Sequence, residues 1–222
     1  MERHSTARRT TSMATNDPGL WCQIDRADCS RRPALFLDRD GVVVADTRYI
    51  GRPENVQMID GAAAAIACCN RLGIPVVVVT NQSGIARGYY GWDGFRAVQA
   101  AISEALAAAG AHLDAVLACA YHAKGSEALR IANHFWRKPN PGMLFAASNR
   151  MNLDLSQSWI IGDKAHDLAA GLAAGLAGGT LLSLDEQELL VASALASPRF
   201  EVEGAANLAD ALAELIKSQR LV

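Results

Sequence analysis

The sequence predicts an α/β protein: a doubly wound parallel sheet with helices on both faces. Three observations point there. Short apolar runs of strand character alternate with alanine-rich helical stretches over most of the chain, the pattern of βα units whose sheet is covered on both sides. One run, Val76-Val77-Val78-Val79, is apolar at every position, as a strand buried on both faces requires. Four of the units deliver polar, chemistry-bearing residues where a strand ends, and open parallel sheets bind ligands at the carboxyl ends of their strands.

Taken in order, the first strand runs from Ala34 into Asp38-Arg39-Asp40-Gly41-Val42. Residues 42–55 carry Gly51 and Pro53 and read as a loop or short hairpin flap. Residues 61–72 form an alanine-rich helix with Gly73 as its stop. The valine strand follows over 74–80, then a turn at Asn81-Gln82-Ser83-Gly84. A long helix over 92–109 ends at Gly110, and a short strand spans 113–119. Residues 121–141 are irregular and polar. A helix over 142–151, a strand over 158–162, a helix over 164–174 and a strand over 179–184 come next. Helices over 186–196 and 207–217 flank a short strand at 200–202. No repeat or low-complexity block competes, so residues 31–222 are expected to form a single domain.

Composition narrows the function. With 222 residues, half of them hydrophobic, the chain can bury one sizeable core. A net charge of −2 and a pI near 6.2 lack the basic face of nucleic-acid binding, so no nucleic-acid partner is expected. No apolar run is long enough for a bilayer span, and the first residues lack the succession of a secretory signal. No membrane association is expected. Five cysteines, two of them adjacent at Cys68 and Cys69, form no regular framework and fit a reduced cytoplasmic protein. Residues 1–30 differ from the rest: Arg3, Arg8 and Arg9 stand among Ser and Thr without periodicity and read as a flexible tail. A transit peptide is the alternative, disfavoured by poor amphipathic spacing. Met13 is a candidate start, and Cys22 and Cys29 lack a second ligand pair. A monomer is expected.

The chemistry lies at the strand ends. Asp38 and Asp40 flank one residue, and positions i and i+2 of an extended chain share a side. Carboxylates so placed repel unless a cation or shared proton intervenes. The valine strand delivers Thr80 and Asn81, the loop before residue 142 delivers Arg137 and Lys138, and the 158–162 strand delivers Asp163 and Lys164. Three carboxylates suit Mg²⁺, which leaves positions for water and phosphate. Hydroxyl, amide and ammonium groups suit phosphoryl oxygens. On this reading Asp38 is the nucleophile of an aspartyl-phosphate mechanism, and Asp40 is its general acid and base. Lys138 and Mg²⁺ neutralise the transferred group, and Asp163 holds the metal. Asp167, four residues further on the same helix face, is placed to position Lys138 or a metal-bound water. An aspartate at position 40, rather than a threonine, supplies the acid and base of rapid hydrolysis.

Each motif alone has a plainer explanation. Asp38 and Asp40 fit turn positions beside Gly41, Thr80-Asn81 a capping turn, Arg137-Lys138 a solvated loop, and Asp163 an N-cap. Four such motifs in order along one chain outweigh the plain set. His122, His134 and His166 read as structural or surface residues. Gly84 and Gly88 serve turn geometry, with Gly84 a candidate for letting backbone N–H groups approach phosphate.

Asp38-Arg39-Asp40-Gly41-Val42, the run from Thr80 to Gly88, Arg137-Lys138-Pro139-Asn140-Pro141-Gly142-Met143, and Ile161-Gly162-Asp163-Lys164 with Asp167 resemble the haloacid dehalogenase superfamily. More narrowly, they resemble the D-glycero-D-manno-heptose 1,7-bisphosphate 7-phosphatases and the related histidinol-phosphatases. The similarity spans about residues 35–182 and implies a Rossmann-like, capless fold acting on a phosphorylated small molecule. It implies Asp38, Asp40, Thr80 and Lys138 as catalytic residues. Mg²⁺ would be held by the Asp38 carboxylate, the Asp40 backbone carbonyl and Asp163. Asp46, Tyr49, Asn81, Gln82, Ser83, Arg137 and Lys164 would meet the substrate. An inactive binding or scaffold protein on the same fold is the alternative of another class, disfavoured by the intact Asp38, Asp40, Lys138 and Asp163.

One stretch departs from the family. The heptose phosphatases usually carry a zinc loop of Cys-x-His and Cys-x-Cys. The matching positions here are Cys119, Tyr121, His134 and Trp136. Tyr and Trp are not zinc ligands, so structural zinc is not expected. A rearranged set of Cys119, His122 and His134 is the alternative. The loop is expected to be held by packing of Phe135 and Trp136.

Overall fold

The computed structural model describes residues 11–12, 16–26 and 30–221. Its centre is β3 (Leu35–Leu37), three fully buried residues paired in parallel with β4 (Val76–Asn81) on one side and β6 (Trp159–Gly162) on the other. Outward from β4 come β5 (Ala115–Cys119), β2 (Leu20–Ile24) and β1 (Thr11–Ser12). Outward from β6 come β7 (Gly178–Leu181) and β8 (Glu201–Gly204). The order β1-β2-β5-β4-β3-β6-β7-β8 is parallel from β5 to β8, and β1 and β2 run antiparallel at one edge. The chain leaves β3 toward β4 and later returns to its other side at β6. Their carboxyl ends therefore form the switch point where such sheets bind ligands.

Alternation along the strands supplies both layers. Leu35, Leu37, Val76, Val78, Val116 and Ile161 pack on one face with Ile66 of α1 (Ala62–Arg71), Phe95 and Ile102 of α3 (Trp92–Ala108), and Leu212 of α7 (Leu208–Lys217). Phe36, Val77, Val79, Leu117 and Ile160 face the other way. They meet Met143 and Leu144 of α4 (Gly142–Met151), Leu168 of α5 (Ala165–Ala174) and Ala192 of α6 (Glu186–Ser193). The four-valine strand is buried at every valine, as expected of a central strand. Between β3 and β5 the described chain holds β4, helices and loops and no inserted cap.

Two expectations need correction. Asn81–Gly84 is not a simple turn: α2 (Ser83–Ala86) begins inside it. Residues 20–24 are not a tail. They pair with β5 from Leu20↔Cys119 to Ile24↔Ala115 and so cover backbone N–H and C=O groups that would otherwise line an open sheet edge. Trp21 stacks on Trp92 at 5.8 Å and meets Phe95 edge-on at 5.5 Å, and Trp92 Nε1 donates to Pro18 O at 2.8 Å. Residues 1–10, 13–15 and 27–29, which include Met13 and Cys29, lie outside the described residues. No helix among the described residues is long and apolar enough to cross a membrane.

Candidate active site

β3 ends at Leu37, so Asp38 leaves the sheet just where β4 and β6 flank it. Asp38 Oδ1 takes the Arg39 N–H at 2.7 Å and the Lys138 ammonium at 3.0 Å. Lys138 is 2 % exposed, and its Nζ also reaches Asp167 Oδ1 at 2.7 Å and donates to Val79 O at 2.7 Å. Two carboxylates and one carbonyl surround the ammonium. Burial alone would lower its pKa, but Asp167 and Asp38 outweigh that and raise it, so it stays charged. Asp167 does hold Lys138. Its other oxygen accepts the Lys164 N–H at 3.1 Å.

Asp40 turns the other way. Arg39 folds under it, with Nε and Nη2 each 3.1 Å from its two carboxylate oxygens, and Gln82 Nε2 donates to Oδ2 at 2.9 Å. Gln82 is itself fixed: Nε2 also donates to Thr80 Oγ1 at 2.8 Å, while Oε1 accepts from Arg39 Nη2 at 3.1 Å and from the Tyr90 hydroxyl at 2.5 Å. Arg39 is 1 % exposed and lies over the Phe95 ring at 5.3 Å. The two acids therefore do not converge as alternate residues of one strand would. One faces a buried cation, and the other is steered by a guanidinium and an amide. Arg39 and Tyr90 escaped sequence reasoning. Arg39 reads as a spacer between two acids, and only tertiary contact reveals Tyr90.

Asp163 follows β6, and Gly41 lets it approach Asp38. Gly41 has φ +81°, and a Cβ there would stand 2.7 Å from Asp163 Cγ. Carboxylate oxygens of Asp38, Asp163 and Asp167 lie within 4.8 Å of one another. With Asp167 engaged by Lys138 and the Lys164 N–H, Asp38 and Asp163 are the pair left to a hard cation, and oxygen donors of this kind fit Mg²⁺. Burial, with Asp167 and Asp40 adding to it against Lys138, lifts Asp38 to about 7. Burial and Asp167 lift Asp163 to about 6. Both values lie above the unfolded 3.8. Without metal, their contribution to stability is therefore complete below about pH 4 and is lost as pH rises toward 7. Mg²⁺ needs the ionised forms, so its stabilisation runs the opposite way. The rise in melting temperature on adding Mg²⁺ is expected to be small at pH 5 and larger at pH 8. A shift that is flat across that range in a melting titration would refute this.

Over these acids lies a cavity of about 580 Å³. Of the residues expected to meet substrate, Asp46, Tyr49, Asn81, Gln82, Ser83, Arg137 and Lys164 all line it, joined by Arg48, Arg87, Tyr90 and His166. Their duties differ from those expected. Asn81 spends its amide on the Lys138 backbone, donating to the carbonyl at 3.0 Å and accepting the N–H at 3.1 Å. Thr80 is buried behind Gln82. Asp46 Oδ1 accepts the Arg48 N–H at 3.0 Å and caps a turn in which Arg48 and Tyr49 are left-handed, with φ 61° and 55°. The Tyr49 and Tyr89 rings meet with centroids 4.5 Å apart, and Arg87 lies over both, at 5.2 and 5.1 Å, and bonds the Tyr49 hydroxyl. Gly84 is required by packing, because the Tyr90 ring occupies the space a Cβ would need.

A family model described as HAD-hydrolase-like matches residues 135–197. The chain is 49 % identical over 168 residues to a D-glycero-beta-D-manno-heptose-1,7-bisphosphate 7-phosphatase of Mesorhizobium japonicum, covering 75 % of this chain and 77 % of that one. It belongs to that phosphatase family. A second member, from Rhodopseudomonas palustris, is 41 % identical over 65 % of this chain and 80 % of its own. The D,D-heptose 1,7-bisphosphate phosphatase of B. bronchiseptica, solved with magnesium and phosphate, superposes with a TM-score of 0.72 at 28 % identity, covering 84 % and 99 % of the two chains.

In the loop before Arg137, Tyr121 and His134, two of the positions set against a zinc loop in the sequence, have stacked rings with centroids 4.2 Å apart. Cys119 is buried in the sheet, its thiol pushed up to about 11 by burial. The expectation that Phe135 and Trp136 hold the loop is half right. Trp136 packs against the core, whereas Phe135 is 56 % exposed and touches Phe145 at 6.2 Å.

Proposed function

We propose that the chain is a Mg²⁺-dependent phosphomonoester hydrolase that removes the 7-phosphate of D-glycero-D-manno-heptose 1,7-bisphosphate through an aspartyl phosphate. The observation that carries this reading is the division between the two acids. Asp38 lies against the Lys138 ammonium, and Asp40 is held apart by Arg39 and Gln82. Asp38 attacks phosphorus through the carboxylate oxygen that Lys138 and the Arg39 N–H leave open, and the bond from phosphorus to the C7 oxygen breaks. Asp40 gives its proton to that leaving oxygen. It then takes one from the water that splits the acyl phosphate.

Lys138 neutralises the charge of the transferred group. Asp38, the Asp40 backbone carbonyl and Asp163 would hold Mg²⁺, which would supply Lewis-acid polarisation of the phosphoryl oxygens when bound. Thr80 and Asn81 act by fixing Gln82 and the Lys138 backbone. Asp46, Tyr49, Ser83, Arg137 and Lys164 meet the sugar and its second phosphate. Residues 31–222 form the phosphatase domain, to which the strand at 20–24 is added.

A panel of phosphate esters assayed with Mg²⁺ tests this. It would contain both anomers of the heptose bisphosphate, a hexose bisphosphate and histidinol phosphate. The heptose bisphosphate is expected to lead in kcat/KM by about tenfold or more. A lead for histidinol phosphate would defeat the substrate assignment, and phosphate release without Mg²⁺ would defeat the metal.

A further inference from the structure

Tyr121 opens the irregular loop that carries Arg137 and Lys138, and two contacts fix it. Its hydroxyl donates to Asp17 Oδ1 at 2.7 Å, and its ring lies on His134 with planes 24° apart. Asp17 is itself secured, because the same oxygen accepts the Gly19 N–H at 2.9 Å and Gly19 O accepts the Ala120 N–H at 2.8 Å. The Tyr121 ring occupies the space a side chain at position 19 would need, 2.5 Å from where its Cβ would stand. Burial and the Asp17 carboxylate push the phenol up to about 12, and burial pulls the His134 imidazole below its usual range. At neutral pH an uncharged phenol lies on an uncharged imidazole.

Both members of the stack touch Arg137. Tyr121 O accepts Arg137 Nη1 at 3.0 Å, and His134 O accepts the Arg137 N–H at 2.9 Å. Lys138, the next residue, depends on neither. Asn81 clamps its backbone, and Val79, Asp38 and Asp167 hold its ammonium. The loop therefore has two separate anchors: the sheet core fixes Lys138, and the N-terminal segment fixes Arg137.

We infer that Asp17, Tyr121 and His134 are positioning residues for substrate recognition, setting Arg137 from outside the cavity while Lys138 is set from within. This rests on Arg137 being a substrate-binding residue. A lost hydrogen bond in such a relay should appear in KM and spare kcat.

Three variants grade the effect. Asp17→Ala and Tyr121→Phe remove the phenol–carboxylate bond and keep the stack, whereas Tyr121→Leu removes both. On the heptose bisphosphate, KM is expected to rise about fivefold in the first two and further in the third, with kcat within about twofold of wild type. On p-nitrophenyl phosphate, which presents no sugar to Arg137, KM should stay within about twofold. In an Arg137→Ala background, Tyr121→Leu should add nothing, because the relay has lost its endpoint. Additive effects, or a fall in kcat at constant KM, would overturn the inference. Hydrogen–deuterium exchange separates it from the functional reading. Amides of residues 134–137 should exchange faster in Asp17→Ala and Tyr121→Phe while those of β4 hold, whatever ester the protein hydrolyses, and unchanged exchange there would overturn the relay. If the wild type hydrolyses no phosphate ester with Mg²⁺, the functional reading fails and the exchange result still decides the relay.

Discussion

Replacing Asp38 with Asn is expected to lower kcat with Mg²⁺ by about 10⁴-fold or more while leaving the fold intact. The amide keeps the carboxylate's shape but cannot form an acyl phosphate. Stability should hold because the buried Asp38 carboxyl, lifted to about 7, gains little from ionising without metal. Lys138 also has Asp167 at 2.7 Å and Val79 O at 2.7 Å, partners that the substitution does not touch. Rapid-quench detection of phosphoenzyme, together with a thermal melt, checks both halves. More than about one per cent of wild-type kcat with no label on the protein would sink the nucleophile assignment.

Lys138→Ala should fail differently, losing stability along with activity. Lys138 is 2 % exposed and Asp167 is fully buried, so the truncation strands two carboxylates in the core. Breaking a buried ion pair from one side costs about 3–5 kcal/mol, because the remaining charge is uncompensated. Adding Asp167→Asn to Lys138→Ala removes one stranded charge and should recover part of the stability, though none of the activity. Urea denaturation of the two variants measures this. A double variant no more stable than the single would show that Asp167 is not what Lys138 neutralises.

Much of this was legible in the sequence because it depends on local pattern. The helix over 142–151 and the valine strand are set by burial periodicity, and structure and sequence agree on them closely. The acids and cations at the strand ends are legible because strand ends are where such sheets place chemistry. The division of labour among them was not legible. That Asn81 clamps a backbone, that Gln82 steers Asp40, and that Arg39 turns inward beneath it are facts of tertiary packing. The strand at 20–24 is hidden from the sequence for a related reason. LWCQI alternates poorly and follows an Arg- and Ser-rich stretch, and its strand character comes from the open edge of β5 rather than from its own residues.

That edge pairing has a consequence for how the molecule assembles. Leu20 meets Cys119 about a hundred positions away, a long loop to close before any contact repays it. β3 and β4 join across α1 through a much shorter separation, but β3 also pairs with β6 from Leu35↔Trp159, a separation longer still. The catalytic floor and the edge strand that anchors the Arg137 loop therefore both wait on distant parts of the chain. The capacity for chemistry and the capacity to choose a substrate then arise together, from non-local contacts.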